Sequence, residues 1–398
     1  MSKFEQKIID ILIANRILFF LCMVTILSLF IRFCYRDFIS IDAEGFLLPW
    51  YDEIKEKGIN SLASQVGDYN ILYQFIIYVF TLLPIKSLYA YKLLSVIFDY
   101  ALAIIVSFLM VDDKKGQKLD LLKSYKFAEV YCVVLFSPIV FLNSSCWAQC
   151  DSIYTFFVFA ALYSYNKEKY GMMFMLLGMA FSFKFQTIFI LPFLLILYVM
   201  QKRFSLAYFF IIPLTLVVSA LPGIIMGRSI MDPFSIYMNQ TGTYNTISLN
   251  YNSFWNIIGG WSGGESDFAE FKIMAVVFTT TILGGILMKV ISSNYSLDLY
   301  GLILLLHITT YTCVLFLPTM HERYGFIYEI TAILLVFFDK RFFFYGVGVI
   351  LLSCMTYGYF LFGVEYPSLI MSIFNVALYC GYVYRFSNSC KPTNIAFE

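Results

Sequence analysis

The sequence predicts an all-α membrane protein: one polytopic bundle of about 12 transmembrane helices with a long first extracytoplasmic loop. The first observation behind this prediction is composition, since 60% of the 398 residues are hydrophobic and only 13% are charged. A soluble domain of that composition would leave too much apolar surface in contact with water. The second is a series of apolar runs along the chain, and the third is a pair of long polar segments between them.

The apolar runs are each close to the roughly 20 residues that a helix needs to cross the hydrocarbon core. The first has no small-residue cleavage site after it, so it is expected to stay as an anchor. Residues 181–186 fit either a break or a tight outer turn. The predicted spans are 14–34, 88–110, 127–144, 148–165, 170–184, 186–200, 205–226, 273–290, 299–317, 325–338, 342–363 and 368–384.

Charge predicts both partners and orientation. With 27 Lys and Arg against 26 Asp and Glu, the chain has no basic excess to bind nucleic acid. Most of the Lys and Arg fall in connections that are cytoplasmic if the N-terminus is inside, as the positive-inside rule requires. The sequence therefore predicts a multi-pass plasma-membrane protein with both termini cytoplasmic. The nine cysteines show no paired or zinc-type spacing and are interpreted as small apolar residues.

Two segments are too long to be simple connectors, and both fall on the outer side: the first long segment, 35–87, and the second long segment, 227–272. In the first, PWYDEIKEKGINSLASQ alternates Trp50, Ile54 and Leu62 with charged residues, which is typical of a helix lying at the membrane interface. Residues 68–84 are too short to span comfortably and predict a second helix in the outer leaflet.

Polar residues gather at the outer ends of the predicted spans. Charge near apolar segments is costly, so a cluster drawn from separate elements indicates a site, although loops also carry charge without any function. The residues concerned are Asp37, Asp42, Glu44, Asp68, Gln149, Asp151, Lys184, His321, Glu322 and Arg323.

PTMHERYGF places an imidazole, a carboxylate and a guanidinium side by side at His321, Glu322 and Arg323. A guanidinium fork suits a phosphate, and the imidazole can donate to the same anion; the alternative is a solvated turn. His307 lies within an apolar run and is expected to be a packing or interhelical residue.

CWAQCDSIYTFF places Trp147, Gln149 and Asp151 at the outer end of a span. An indole, an amide and a carboxylate suit a sugar, while an interfacial aromatic belt explains the indole equally well. Lys184, in FSFKFQTIF, either reaches a phosphate or extends along apolar surface to the interface. Asp99, in mid-span, is expected to make a helix–helix hydrogen bond.

In this order, the segments resemble the membrane-embedded GT-C glycosyltransferases, which use polyprenyl-phosphate sugars. Ser40-Ile41-Asp42 resembles the family's acidic first-loop motif, and Gly67-Asp68-Tyr69-Asn70 its later Asp-Tyr motif. WAQCDSIYTFF, FSFKFQTIFILP and MHERY resemble the motifs that follow, so the resemblance covers residues 10–340. Relatives often have Ser-Gly-Asp-Tyr where this chain has Ser-Ile-Asp-Ala, which keeps Asp37 and Glu44 as alternatives to Asp42.

The resemblance implies a helical module over 1–200 that includes the loop 35–87, and a variable half over 201–398 that includes the loop 227–272. It implies an inverting transfer of a hexose from a polyprenyl-phosphate donor to a hydroxyl of a glycolipid or cell-surface glycan. Asp42 would be the catalytic base, with Arg36 as an additional cation. The implied substrate-binding residues are Asp68, Tyr69, Trp147, Gln149, Asp151, Lys184, His321, Glu322 and Arg323.

No cofactor is expected, because the donor carries its own leaving group and no glycine-rich phosphate loop is visible. The first loop has no Asp-x-Asp pair, and we expect no divalent metal. The main alternative function is a lipid or polysaccharide transporter, which would need polar residues along the bilayer midplane; few are present, Asp99 and His307 among them. The sugar, the acceptor, the polyprenol and the oligomeric state stay open.

Overall fold

The computed structural model describes residues 1–111, 124–240, 246–258 and 265–390, with side chains from 268 onward in the last range. Over these residues the chain is almost entirely helical, as the composition predicts. The helices are α1 Lys3–Ala14, α2 Arg16–Cys34, α3 Leu48–Lys57, α4 Ile71–Thr81, α5 Ser87–Val111, α6 Tyr125–Phe136, α7 Pro138–Phe141, α8 Asp151–Asn166, α9 Tyr170–Phe183, α10 Leu191–Gln201, α11 Ile211–Ser219, α12 Leu221–Ile225, α13 Asp232–Gln240, α14 Glu265–Ile291, α15 Leu299–Phe316, α16 Phe326–Phe338, α17 Phe343–Phe362 and α18 Ser368–Ser389.

Several helices begin where the sequence supplies a cap. Ser2 and Glu5 form a reciprocal capping box at α1. The Asp298 side chain accepts from the Gly301 amide at 2.8 Å and starts α15. Prolines stand in the first turn of α7 and α10, where a missing amide hydrogen leaves no hydrogen bond unmade.

Among the described residues, six helices are long and apolar enough to cross a membrane: α2, α5, α14, α15, α17 and α18. A seventh span results if α6 and the helical stretch Pro138–Cys146 are counted as one span, although the two parts are bent by 52°. The predicted count of 12 is not confirmed, because the other apolar runs form helices of at most 16 residues. Large apolar side chains on α2 and α14 are exposed, as expected of helices that face lipid.

The helical backbone is interrupted within 181–186. Lys184 has extended backbone, with φ −153° and ψ 133°, between the end of α9 and a 3₁₀ turn over Phe185–Ile190. Of the two interpretations of this stretch, the tight turn is the one observed: Arg203, just after α10, pairs with Glu168, just before α9, so α9 and α10 run in opposite directions. It turns the Lys184 side chain inward, towards the start of α8.

The first long segment holds the two predicted short helices. In α3, Tyr51 and Ile54 are buried and Trp50 is half-buried, so one face packs on the protein. The second helix, α4, has only 11 residues. Both helices are too short to span, as predicted.

The second long segment contains elements that the sequence did not predict. It includes α13 and a two-residue strand, β1 Ser248–Leu249, which pairs in parallel with β2 Met320–His321. Asn70 of the first long segment also donates through Nδ2 to the Pro233 carbonyl at 2.9 Å. Both long segments and the late turn therefore meet at one end of the bundle. Residues 241–245 and 259–264 lie outside the described residues.

Candidate functional site

Because successive helices run in opposite directions, several of them end or begin at the end of the bundle where the two long segments meet. Helices α2, α9 and α15 end there, whereas α8 and α16 begin there. Side chains from these ends and from the first long segment contact one another across large distances in sequence. The contacts between Asp42, Asp151 and Arg323 join three parts of the chain that the sequence separates by more than 100 residues.

Asp42 is the point where these parts converge. Its Oδ2 atom accepts hydrogen bonds from Trp147 Nε1 at 2.9 Å and Gln149 Nε2 at 3.3 Å. Arg323 Nη1 lies 3.4 Å from the same oxygen. Among the described residues no donor contacts Oδ1, so one carboxylate oxygen is held in place while the other has no protein partner.

Two buried groups fix the backbone that carries Asp42. Ser40 Oγ accepts from the Ala43 amide and donates to the Trp147 carbonyl, each at 3.1 Å. Lys92 Nζ donates to the carbonyls of Tyr35 and Phe38 at 2.7 and 2.6 Å, which ties the chain after α2 to α5. A buried ammonium that is satisfied by carbonyl oxygens holds a loop in one conformation.

Gln149 links Asp42 to the first long segment a second time. Tyr69 donates its hydroxyl to Gln149 Oε1 at 3.1 Å, while Gln149 Nε2 donates to Asp42. Burial raises the pKa of the Tyr69 phenol well above its ordinary value, so the phenol stays a donor. That donor fixes the orientation of the amide and points its NH₂ group at the carboxylate.

Asp151, the first residue of α8, is completely buried and has three polar partners. Lys184 Nζ pairs with Oδ1, and Asn143 Nδ2 donates to Oδ2 at 2.7 Å. Arg323 Nε lies 3.7 Å from Oδ2. A buried carboxylate is tolerated only when it is paired and hydrogen-bonded, and these groups meet that condition.

Arg323 bridges three carboxylates. Besides Asp42 and Asp151, its Nη1 lies 3.7 Å from Glu322 Oε1, and its guanidinium carbon lies 5.5 Å from the centre of the Trp147 ring. Burial alone would lower the pKa of Arg323, but the carboxylates outweigh burial and raise it above the ordinary value. The guanidinium is therefore a permanent positive charge at the centre of the site.

The cluster has an exposed group of side chains, which we call the front of the site, and a buried group behind it. The side chains of Asp42, Arg323 and His321 are 18%, 16% and 19% exposed. Those of Asp151, Glu322 and Lys184 are 0%, 1% and 7% exposed. Asp42 is thus the one carboxylate of the three that a substrate can reach, and the others form a charged framework behind it.

The structure contradicts both sequence-based interpretations of Trp147 and both of Lys184. Trp147 is fully buried and stacks on Phe360 at 4.7 Å, so it is neither an open sugar platform nor a belt residue. Its role in the structure is to donate to Asp42. Lys184 neither reaches outward nor follows the surface, because its ammonium pairs with buried Asp151.

The residues that lie apart from the cluster are on the first long segment. The Asp68 side chain is exposed, and its backbone carbonyl accepts a hydrogen bond from Gln240 Nε2. Arg36 pairs at 3.1 Å with Asp37, and both are exposed. Glu44 is also exposed. Of the three candidate bases, Asp42 is the one the structure brings to Arg323.

Sequence reasoning missed Asn143 and the roles of Ser40 and Lys92. Asn143 is a small polar residue with no pattern to distinguish it, and Ser40 was noted only as the start of the Ser40-Ile41-Asp42 motif. Lys92 could have been found, since a lysine in an apolar run is costly unless several acceptors surround it. In the part of the chain with described coordinates, no group of three or more His, Cys, Asp or Glu residues is arranged to hold a metal ion.

No protein-family model matches this chain, and no curated protein matches it either.

Proposed function

We propose that this chain is an inverting hexosyltransferase of the GT-C type. It moves a hexose from a polyprenyl-phosphate donor to a hydroxyl of a glycolipid or cell-surface glycan. The observation that supports the proposal most is the approach of Asp42 Oδ2 to Arg323 Nη1 at 3.4 Å. The sequence resemblance names these two residues from opposite ends of the chain, one as a base and one as a phosphate ligand, and a transferase needs both at the same place.

Asp42 has the geometry that a general base requires. Three donors hold Oδ2, and the other oxygen has no donor among the described residues. In the proposed step the acceptor hydroxyl gives its proton to Asp42 while its oxygen attacks C1 of the sugar. The bond from C1 to the phosphate oxygen breaks on the opposite face, and its electron pair leaves with the phosphate. Such a base contributes about 10²–10⁴ in rate.

The three carboxylates around Arg323 explain how its charge reaches the phosphate only during transfer. In the resting cluster Asp42, Asp151 and Glu322 neutralise the guanidinium. When Asp42 takes the proton it loses its charge, and Arg323 loses one of its anionic partners. The phosphate gains negative charge at the same moment. Arg323, whose side chain is 16% exposed, is the permanent cation nearest to Asp42 among the described residues. Stabilising charge where it develops is the largest single contribution in many enzymes.

A polyprenyl-phosphate donor needs an apolar surface for its lipid chain. Exposed apolar side chains on α2 and α14 give the bundle a lipid-facing surface, against which a polyprenyl chain would lie. We place the site on the extracytoplasmic side of the plasma membrane, with both termini cytoplasmic, because of the Lys and Arg distribution. The reaction requires no cofactor, and the partners are the lipid-linked sugar and the acceptor glycan.

The test is turnover by the purified protein in detergent. Polyprenyl-phosphate glucose and polyprenyl-phosphate mannose, radiolabelled in the sugar, are incubated with the protein and a membrane lipid extract as acceptor source. We expect release of polyprenyl phosphate and label in a new product from one donor. A transporter leaves the bond between C1 and phosphate intact, so an undiminished donor pool with both sugars, across extracts from several bacteria, would reject the proposal.

A further inference from the structure

A second buried ion pair lies beneath the site. Arg32, near the end of α2, donates through Nε and Nη2 to Asp99 Oδ2 of α5 at 3.1 and 2.9 Å. Asp99 is completely buried and Arg32 is 5% exposed. The sequence predicts a helix–helix hydrogen bond at Asp99, and this pair confirms it.

Asp99 does more than join two helices. Its Oδ2 accepts from Ser144 Oγ and its Oδ1 accepts from Ser152 Oγ, both at 2.5 Å. These serines are the two ends of one stretch of chain, which we call the 144–152 segment. One carboxylate therefore holds both ends of that segment.

The 144–152 segment carries the groups that surround Asp42. Trp147 and Gln149 donate to it, and Asp151 pairs with Lys184 and lies beside Arg323. All three residues lie between the two serines that Asp99 holds. A shift of either end would move these groups relative to Asp42.

The backbone of the segment is irregular, although the amides of Trp147 and Gln149 donate to the carbonyls of Leu142 and Asn143 at 2.8 and 2.9 Å. It begins in a π-helical turn over Leu142–Cys146, and Ala148 has a φ of +61°, in the left-handed region that disfavours residues other than glycine. Such a conformation persists only when the surrounding structure determines it. The Asp99 carboxylate holds the two ends of the segment, and Ser40 Oγ holds its middle by donating to the Trp147 carbonyl.

We propose that Asp99 is a positioning residue for the transfer reaction: it clamps Ser144 and Ser152 so that Trp147, Gln149 and Asp151 keep their geometry around Asp42. This inference rests on the proposed transferase function. Apolar side chains of similar volume often replace a buried ion pair without loss of stability. They cannot accept hydrogen bonds from two serines at once, and this separates the clamp from simple packing.

Two double variants separate the hydrogen bonds to the serines from packing. Arg32→Met with Asp99→Leu removes both charges together, and we expect its melting temperature in detergent to equal that of the wild type. Its kcat should nonetheless fall by about 10²-fold, the effect of a misplacement of about 1 Å. Donor KM should change by less than about threefold, because the front of the site is intact. Ser144→Ala with Ser152→Ala should give the same kcat loss with the ion pair present.

Tyr100→Phe is the matched control. Tyr100 donates to Ser28 Oγ at 3.0 Å in the same buried cluster, and it makes no hydrogen bond to Asp99 or the 144–152 segment. We expect wild-type kcat and KM from it. A double variant Arg32→Met, Asp99→Leu that is as stable and as active as the wild type would overturn the proposal, because Asp99 would then be structural only.

A second readout does not depend on transfer. Cys150 lies within the 144–152 segment and is completely buried. In a chain with Cys150 as its single cysteine, the double variant should react with a maleimide about 10-fold faster than the wild type, because a loosened segment opens more often. Equal reaction rates would refute the clamp. If the wild type transfers no hexose, the proposed function fails, while the maleimide rates still decide whether Asp99 holds the segment.

Discussion

Asp42→Asn is the sharpest test of the site, because it changes one charge and little else. An asparagine oxygen can still accept from Trp147 Nε1 and Gln149 Nε2, which donate to Asp42 Oδ2 at 2.9 and 3.3 Å. Arg323 also keeps the carboxylates of Asp151 and Glu322 beside it, so the variant does not leave the guanidinium unpaired. We therefore expect the variant to fold, with a free energy of unfolding lower by about 1 kcal/mol or less.

Its effect on the reaction is much larger. An amide cannot take the acceptor proton, and loss of a general base lowers the rate by about 10²–10⁴. This factor corresponds to about 2.7–5.5 kcal/mol in the activation free energy, several times the expected change in stability. The loss should appear in kcat, while donor KM changes by less than about threefold, because the amide still fills the space of the carboxylate.

The assay is transfer of radiolabelled hexose from the polyprenyl-phosphate donor at saturating acceptor, with Glu44→Gln and Asp37→Asn as matched controls. Both controls remove an exposed carboxylate from the same stretch of chain, and neither residue contacts Arg323 among the described residues. We expect both to keep wild-type kcat. Near wild-type transfer by Asp42→Asn, or its loss in a control instead, would refute the assignment of the base.

The other predictions concern the framework. Arg323→Lys should lower kcat/KM by about 10²-fold, since one ammonium cannot contact both Asp42 and Asp151 as the fork does; wild-type kinetics would show that a point charge suffices. Lys184→Met should lower the free energy of unfolding by about 3–5 kcal/mol in denaturant titrations, because Asp151 stays buried without its closest cation. Lys57→Met, at an exposed pair, should cost about 0.5 kcal/mol, and equal losses would contradict the buried pairing. EDTA should leave transfer unchanged, whereas a loss that Mn²⁺ restores would show that a metal takes part.

The cluster is organised so that few of its charges are available to a ligand. Lys184 pairs with Asp151, and Arg323 lies beside Asp42, Asp151 and Glu322, so three carboxylates face two cations. In formal charges these five groups sum to −1 with Asp42 ionised, and to zero once Asp42 has taken the proton. Glu322 Oε2 is buried, accepts no hydrogen bond from the described residues and lies 3.8 Å from His321 Nδ1, which leaves the imidazole beside an anion at the open side of the site.

Much of the site was predictable because its residues are unusual where they stand. A carboxylate, an amide or a guanidinium beside apolar spans is costly, so such residues draw attention in the sequence. Asp42, Asp151 and Arg323 were found in this way, and the structure brings them together. Their roles were harder to predict, because exposure separates Asp42 from fully buried Asp151, and exposure is a property of the folded bundle.

Composition and periodicity determined what the chain is made of: helices, several of them apolar enough to span a membrane, and two long polar segments, since these depend on the local transfer free energy of each stretch. Only the tertiary structure decided which helices are long enough to span and that β1 of the second long segment pairs beside His321. It also turned Lys184 and Trp147 inward to hold Asp151 and Asp42. These outcomes depend on breaks, ion pairs and hydrogen bonds between residues far apart in the chain, and a buried charge selects its partner only when the whole bundle has excluded water around it.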